Sequence, residues 1–255
     1  MNEEHIPRLV AHRGYTHAYP ENTWLGLEAA LKAGACWIEF DLQMCADGRF
    51  VLLHDTDFKR TADTPVCVFD INTEQLMDIS VHEPARLGDR YAPLPVSDLD
   101  TVLLKLSAFP KARAMVEIKQ ESLDQWGLER VMDALLEKLN PCHSQCVLIS
   151  YSHQALSYAR QRDSIDIGWV LDAYDQELFN LANQLNPQFL ICNERKIPQQ
   201  QTPWPGTWQW MLYDISDPAL ALQWAARGIE LIETRAIGSM LQDPALARKA
   251  CPHAI

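Results

Sequence analysis

Residues 9–42 read LVAHRGYTHAYPENTWLGLEAALKAGACWIEFDL and contain one complete strand–helix–strand unit. Two short apolar runs, Leu9 to Ala11 and Trp37 to Leu42, have the length of buried strands, and Asn22 to Lys32 between them has helical periodicity. Asn22 is a candidate N-cap for this helix, and Gly34 can adopt the left-handed conformation that ends it. Strand, helix and strand in this order predict a parallel β-sheet.

The same unit recurs along the chain. Six further apolar runs of strand length are Met115 to Ile118, Cys146 to Ile149, Ile167 to Leu171, Phe189 to Cys192, Trp208 to Tyr213, and Ile229 to Ile232. Segments with helical periodicity include Asp124 to Leu139, Gln154 to Gln161, Gln176 to Leu185, and Pro218 to Arg227. Eight strands and their helices in 255 residues predict an α/β fold, the (β/α)8 TIM barrel. A doubly wound open sheet is the alternative, but the sequence lacks the glycine-rich turn typical of its first strand.

One hairpin and one insertion interrupt this repeat. After the second strand the chain passes Asp47-Gly48 and returns as an apolar run that ends at His54, which predicts a β-hairpin with His54 roughly opposite Asp41. The next segment, Thr56 to Val96, has four prolines and no sustained periodicity. We expect it to form a small cap over the barrel mouth. The chain is therefore expected to be a single domain over residues 1–255, with an insertion at about 56–96.

Composition limits the partners of this chain. The 34 Asp and Glu residues outnumber the 22 Lys and Arg residues, and the net charge of -12 disfavours nucleic acid and anionic lipid. No apolar run approaches the roughly 18 residues of a membrane-spanning helix, and the N-terminus lacks the apolar core of a signal peptide. The seven cysteines lie largely in apolar surroundings. We expect free thiols and a cytoplasmic protein, and the sequence leaves the oligomeric state open.

Charged side chains cluster at the predicted C-terminal strand ends, where TIM barrels carry their functional groups. Glu39 and Asp41 are two residues apart, as are Glu117 and Lys119, so each pair faces one side of its strand. Three carboxylates inside a barrel mouth would repel one another unless a cation lies between them. We therefore predict a divalent cation, Mg2+ or Ca2+, held by Glu39, Asp41 and Glu117.

Two basic residues and two histidines lie beside this predicted metal site. Arg13 and Lys119 would form a local pocket for an anion such as phosphate within an acidic protein. His12 and His54 can exchange protons near neutral pH, which makes them candidates for general acid–base catalysis.

Three tryptophans, Trp204, Trp208 and Trp210, raise the question of an aromatic cage for a choline headgroup. Trp208 and Trp210 share one face of their predicted strand, whereas Tyr213 lies on the other. We therefore expect the tryptophans to pack against helices, and we expect Tyr213 to line the mouth as a substrate contact.

Five motifs, in order and spacing, resemble the glycerophosphodiester phosphodiesterase family in its bacterial cytosolic form. The family's HRG, PENT, E-x-D, HD and E-I-K correspond to His12-Arg13-Gly14, Pro20-Glu21-Asn22-Thr23, Glu39-Phe40-Asp41, His54-Asp55, and Glu117-Ile118-Lys119. Weaker similarity at Leu148 to Ser152 and between Leu212 and Pro218 extends the resemblance over nearly the whole chain.

This resemblance implies a (β/α)8 barrel that hydrolyses small-molecule glycerophosphodiesters to glycerol 3-phosphate and an alcohol with a divalent cation. Matched by motif, the expected metal ligands, acid–base pair and phosphate contacts are the groups already found at the strand ends: Glu39, Asp41 and Glu117; His12 and His54; Arg13 and Lys119. The motifs also make Glu21 a further candidate site residue.

The last strands depart from the family pattern. Tyr213-Asp214-Ile215-Ser216 stands where W-T-V-N or Y-T-V-N is usual, and Glu233-Thr234-Arg235 stands where I-T-D is usual. These changes spare the predicted metal ligands and histidines, so they bear on the preferred alcohol. Two alternatives stay open: a lipid-directed, phospholipase D-like enzyme, which would need an exposed apolar rim in the insertion, and a non-catalytic protein that binds a metal or a sugar phosphate.

Overall fold

The computed structural model describes residues 6–198 and 201–251. Its strands, in chain order, are β1 (Arg8–Ala11), β2 (Trp37–Met44), β3 (Phe50–Leu52), β4 (Asp57–Phe58), β5 (Thr64–Cys67), β6 (Arg113–Ile118), β7 (Cys146–Ser150), β8 (Asp166–Val170), β9 (Phe189–Asn193), β10 (Gln209–Tyr213) and β11 (Leu231–Thr234). Parallel pairing runs from β1 through β2 and β6 to β11, and β11 returns to β1, so eight strands close into a barrel. The predicted TIM barrel is confirmed, and the open sheet is excluded.

Side-chain alternation along the strands creates two apolar layers. The layer inside the barrel contains Val10, Trp37, Met115, Val147, Ile149, Val170, Phe189, Ile191, Met211 and Leu231. The larger layer lies between the barrel and its helices and includes Trp208 and Trp210. On β10, Met211 and Tyr213 point inward, while Trp210 and Leu212 point outward. The tryptophans therefore pack under the helices, as predicted from strand parity.

The helices, in chain order, are α1 (Trp24–Lys32), α2 (Lys59–Ala62), α3 (Thr73–Leu76), α4 (Pro84–Leu87), α5 (Leu99–Leu106), α6 (Gln120–Trp126), α7 (Leu128–Leu139), α8 (His153–Arg162), α9 (Gln176–Leu185), α10 (Pro218–Ala225) and α11 (Ile237–Met240). One predicted helix, Asp124 to Leu139, is wrong as a single element. Gly127 has φ +85°, a conformation that glycine adopts without strain, and it separates α6 from α7. Every helix within residues 6–198 and 201–251 is too short or too polar to cross a bilayer.

Local backbone and side-chain geometry determines where helix α1 begins and ends. Thr23 is the N-cap, because its Oγ1 accepts a hydrogen bond from the amide of Gly26 at 3.1 Å. The prediction that Asn22 caps this helix is wrong, because Asn22 has φ 51° and turns its side chain toward Asp41. Gly34, just beyond the helix, has φ +106° as predicted for a residue that ends it.

A hairpin and a cap segment, residues 56–96, lie beside the barrel mouth. Strand β3 pairs antiparallel with β2, and the amide of Leu53 donates to the carbonyl of Asp41 at 3.1 Å, which brings His54 close to the Asp41 position. The cap contains the β4–β5 pair and helices α2 to α4. It shares a separate apolar cluster with the hairpin, formed by Cys45, Val51, Leu53, Phe58, Val68, Ile71, Leu76, Ile79 and Val81.

The cysteines differ from expectation. Cys36, directly before β2, forms a disulfide with Cys251, and five other cysteines are free thiols. The expectation of seven free thiols is therefore wrong for this pair. The two residues are 215 positions apart in sequence, and only closure of the barrel brings their Cα atoms to 5.1 Å. The cytoplasmic location, which rested partly on free thiols, stays a prediction.

Candidate active site

The C-terminal ends of the barrel strands surround a cavity of about 210 Å³, here called the mouth cavity. Predicted site residues that line it are His12, Arg13, Glu39, His54, Glu117, Lys119 and Tyr213. Asp41, the third predicted metal ligand, is buried beside this group and contacts Arg13 and Lys119. All the residues selected from scattered positions in the sequence therefore meet at one place.

Three buried carboxylates form the floor of the site. Glu39 and Asp41 lie on β2, and the parallel register sets Glu117 of β6 beside Asp41. One carboxylate oxygen from each residue lies within 4.8 Å of the other two. This all-oxygen set has the composition that hard divalent cations prefer.

Asp41 is the best compensated of the three. Its Oδ2 accepts a hydrogen bond from Nδ2 of Asn22 at 2.9 Å and lies 3.0 Å from Nε of Arg13, while Nζ of Lys119 approaches Oδ1 at 3.4 Å. Burial alone would raise the pKa of Asp41, but the charges of Arg13 and Lys119 hold that pKa below its usual range. Asp41 is therefore a carboxylate at neutral pH.

The other acidic groups lack comparable compensation. Burial and the charge of Asp41 raise the pKa of Glu117 to about 7, and burial together with Asp41 and Glu233 raises the pKa of Glu39 well above its usual range. Oε1 of Glu39 and Oε1 of Glu233 are buried without a hydrogen-bond partner in the described chain. Buried unpartnered carboxylate oxygens are costly, so this cluster is suited to receive positive charge.

Glu233 was not predicted as a site residue. It lies on the inner face of β11 and lines the mouth cavity together with the predicted residues. In the sequence, Glu233 is an acidic residue beside a predicted apolar strand, and there it is recognisable only as a departure from the family pattern. One ligand atom from each of His12, Glu39 and Glu233 also lies within 4.8 Å of the other two.

His54 belongs to a continuous chain of charged hydrogen bonds. Its Nδ1 is 2.7 Å from Oδ1 of Asp55, whose Oδ2 accepts from Nε of Arg60 at 2.7 Å. Arg60 donates to Glu21, and Glu21 accepts from Nη1 of Arg13 at 3.0 Å. Burial opposes ionisation of Asp55, yet hydrogen bonds from Arg60 and His54 hold its pKa below its usual value. A carboxylate only accepts, so Nδ1 of His54 is the donor in this hydrogen bond and Nε2 is the ring nitrogen left for another partner.

His12 lies in a different environment. Its Nδ1 is buried without a hydrogen-bond partner among the described residues, and the nearest acid is Asp214, whose Oδ1 is 3.9 Å away. Burial and the neighbouring charge of Arg13 lower the pKa of His12 to about 3, so this imidazole is neutral at pH 7 in the metal-free chain.

The opposite wall of the mouth cavity carries a tyrosine pair. The hydroxyl of Tyr213 is 3.0 Å from that of Tyr151, and both side chains line the cavity. Tyr151 follows β7 directly and was not predicted as a site residue. Together with Ile149, Val170, Ile191 and Met211, the pair makes this wall less charged than the carboxylate floor.

Comparison with known proteins assigns a family to this arrangement. The model of the glycerophosphoryl diester phosphodiesterase family matches residues 12–190, which include His12, Arg13, both carboxylates of β2, His54 and the Glu117–Lys119 pair. The chain belongs to this family. The matched region ends within β9, so the departures at Asp214, Glu233 and Arg235 lie outside it.

Curated members of the family agree with this assignment. A glycerophosphodiester phosphodiesterase of Bacillus altitudinis is 42% identical over 154 residues, covering 60% of this chain and 61% of the relative. Another, from Bacillus subtilis, is 28% identical over 210 residues, covering 74% and 70%. The chain therefore spans about 60% of the length of the Bacillus altitudinis relative.

Solved structures share the fold over nearly the whole chain. A phosphodiesterase from Oleispira antarctica, in complex with the product sn-glycerol-3-phosphate, superposes with a TM-score of 0.81 and 21% identity, covering 95% of this chain and 97% of that one. A glycerophosphodiester phosphodiesterase from Agrobacterium tumefaciens gives a TM-score of 0.73, also at 21% identity, with coverage of 93% and 100%. At this identity the likeness is one of fold.

Proposed function

We propose that this chain is a metal-dependent glycerophosphodiester phosphodiesterase that produces glycerol 3-phosphate and an alcohol. The observation that carries the proposal is the convergence of three carboxylates, two basic side chains and two histidines on one cavity of a family member. We further propose that residues 1–255 form one barrel domain with an insertion at about 56–96.

Glu39, Asp41 and Glu117 would hold the divalent cation, Mg2+ or Ca2+. The raised pKa values of Glu39 and Glu117 and the unpartnered Oε1 of Glu39 support this assignment, because they describe buried acids whose charge the neighbouring cations offset only in part. When bound, the cation would act as a Lewis acid toward a phosphoryl oxygen and neutralise charge in the transition state.

Arg13 and Lys119 would bind the phosphate. Both are largely buried and are held in place by hydrogen bonds to acids, since Nη1 of Arg13 donates to Glu21 at 3.0 Å and Nζ of Lys119 donates to Glu117 at 2.8 Å. Fixed cations of this kind stabilise developing negative charge without reorganising during the reaction. Tyr213 would contact the organic part of the substrate from the opposite wall.

His12 and His54 would supply the proton transfers. Hydrolysis adds the oxygen of the nucleophile to phosphorus, breaks the bond from phosphorus to the alcohol oxygen, and leaves that oxygen with a proton. One imidazole takes a proton from the nucleophile while the other donates one to the leaving alcohol. The hydrogen bond to Asp55 supports a role for His54 by fixing its tautomer. The nucleophile is either water or the neighbouring glycerol hydroxyl, and a transient cyclic phosphate would identify the second route.

A direct assay tests the reaction. Purified protein is incubated with glycerophosphoethanolamine and glycerophosphocholine, with Mg2+ or Ca2+ either added or chelated, and glycerol 3-phosphate is measured. Release that depends on added metal supports the proposal. No release from either diester with any added divalent cation would contradict it.

Leaving-group substitution tests the histidines separately. His12→Ala and His54→Ala should each remove most activity on a natural diester. A diester with p-nitrophenol as leaving group needs little acid assistance, so it should rescue the variant that lacks the acid and not the variant that lacks the base. Near wild-type rates of both variants on the natural diester would refute the acid–base pair.

The lipid-directed alternative has less support. Within the described cap segment, Met77 is the one large apolar side chain that is strongly exposed, at 83%. A single methionine does not make the contiguous apolar rim that docking on a lipid surface needs. Small diesters are therefore the better candidates.

A further inference from the structure

A second cavity of about 690 Å³ adjoins the mouth cavity on the side of the cap segment. We call it the arginine cavity; it is lined by Arg13, Thr16, His17, Glu21, Arg60, Glu83, Ala85, Arg86, Leu87 and Arg235. Arg13 and Arg235 line both cavities, so the two spaces meet at these side chains. The arginine cavity, at about 690 Å³, is several times larger than the mouth cavity of about 210 Å³.

The lining of the arginine cavity has more basic than acidic residues, although the chain as a whole carries -12. Its lining has four arginines and only two acids, Glu21 and Glu83. Most of the arginines are already engaged. Arg60 donates to Asp55 and Glu21, and Arg86 donates to Glu83 and to two backbone carbonyls. These pairs build the walls of the cavity and leave limited capacity for a further anion.

Arg235 differs from the other arginines of this lining. Its side chain is 57% exposed and forms an ion pair with Asp214, with Nη2 and Oδ1 3.6 Å apart. Its backbone is fixed, because its carbonyl accepts from the amide of His17 at 2.9 Å directly after β11. A guanidinium on an anchored backbone at the junction of two cavities is available to bind an anion in bidentate fashion.

We infer that the arginine cavity receives the alcohol part of the substrate, and that Arg235 selects alcohols that carry a further phosphate group. The inference rests on the proposed function, which places the scissile phosphate in the mouth cavity. Cationic headgroups such as choline are recognised by aromatic faces, and the lining given above has no Phe, Tyr or Trp. The surplus of basic residues in the lining, the volume of the cavity and the exposed guanidinium of Arg235 all favour an anionic alcohol.

Three diesters with the same reacting group separate these possibilities. Bis(glycerophospho)glycerol has an alcohol that carries a second phosphodiester, glycerophosphoglycerol has a neutral alcohol, and glycerophosphocholine has a cationic one. Water cleaves the first to glycerol 3-phosphate and glycerophosphoglycerol, with the oxygen of water added to phosphorus and its proton taken by the leaving alcohol. The wild type should have its highest kcat/KM on this diester.

Arg235→Gln should lower the ratio of kcat/KM for bis(glycerophospho)glycerol over glycerophosphoglycerol about tenfold, the size of one charge-assisted contact. Arg195→Gln is the matched control, because Arg195 is 87% exposed near the C-terminal end of β9 and lines neither cavity. It should leave the ratio unchanged. A wild-type ratio of one or below, or an equal ratio in Arg235→Gln and wild type, would overturn the inference.

A binding measurement separates this inference from the proposed reaction. If the metal-loaded protein hydrolyses none of the three diesters, the proposed function fails, and the same protein can be titrated calorimetrically because the diesters persist. We then still expect bis(glycerophospho)glycerol to bind more tightly than glycerophosphoglycerol. The ratio of the two Kd values should change about tenfold toward equality in Arg235→Gln. Equal Kd values for the two diesters in wild type would refute it.

Discussion

Glu39→Gln should change stability in opposite directions with and without metal. In the metal-free protein, Glu39 is a buried acid near Asp41, Glu117 and Glu233, and burial with these charges raises its pKa well above the usual range. The isosteric amide keeps an oxygen that can accept from the amide of Arg13, now 2.9 Å from Oε2. The amide cannot carry the negative charge of the Glu39 carboxylate, so the metal-free Glu39→Gln protein should be more stable than wild type at pH 8.

The magnitude follows from the spacing of the carboxylates. Two unit charges 4.8 Å apart repel by about 3.5 kcal/mol at an effective dielectric constant near 20. Arg13 and Lys119 offset part of this repulsion, and the raised pKa of Glu39 lets a proton remove more of it. We expect a net gain of about 1 to 2 kcal/mol for the variant, which is about 4 °C in Tm for a chain of this size.

The sign of the pH dependence is fixed by linkage. The pKa of Glu39 in the folded state lies above its unfolded value, so the carboxyl destabilises the fold increasingly as pH rises above about 4.3. The advantage of Glu39→Gln should therefore be present at pH 8 and vanish near pH 4, where both states hold the proton. Added metal reverses the order, because metal at 100 times its Kd stabilises wild type by about 2.7 kcal/mol and the variant less.

Thermal unfolding is measured in EDTA and in saturating Mg2+ or Ca2+, each at pH 4 and pH 8. The Tm of the variant is compared with that of wild type in each of these four conditions. Glu137→Gln, an exposed substitution on α7, is the matched control and should follow wild type. A Glu39→Gln protein that is less stable than wild type in EDTA at pH 8, or that keeps the full metal response, would refute the reasoning.

Three other predictions address single features. Lys119→Ala should lower kcat, because the transition state loses about 2 to 4 kcal/mol of stabilisation. An unchanged kcat on a glycerophosphodiester would remove Lys119 from the site. Asn22→Ala should lower the free energy of unfolding by about 1 to 3 kcal/mol in urea titrations, because the backbone amide of Asp41 loses its acceptor at 3.1 Å; equal midpoints would contradict this role. Cys36→Ser should lower the free energy of unfolding by about 2 to 5 kcal/mol, because the disulfide to Cys251 closes a loop of 215 positions. A reductant should lower the Tm of wild type but not that of the variant.

Much of the fold could be predicted because strand and helix periodicities are local. Parity along one strand was enough to set Glu39 and Asp41 on the same face, and to turn Tyr213 inward while Trp210 turned outward. The recurring strand–helix unit then predicted that such strand ends would meet at one mouth.

The missed features depend on contacts between distant segments or on competition between local partners. Glu233 became recognisable as a site residue only when β11 closed on β1 and brought it near Glu39. Asn22 and Thr23 are both good N-caps, and the choice between them is decided by Asp41, which engages the side chain of Asn22. The pairing of Cys36 with a cysteine at the other end of the chain likewise has no local signal.

The most direct test of the central claim is metal-controlled release of glycerol 3-phosphate by one protein preparation. Wild type is stripped with EDTA, divided, and reconstituted with increasing Mg2+ or Ca2+, and product from glycerophosphoethanolamine is measured beside bound metal. We predict negligible release from the stripped protein, activity that rises with bound metal, and no recovery in Glu39→Gln over the same range. Full release by the stripped protein, or equal recovery in Glu39→Gln, would contradict it.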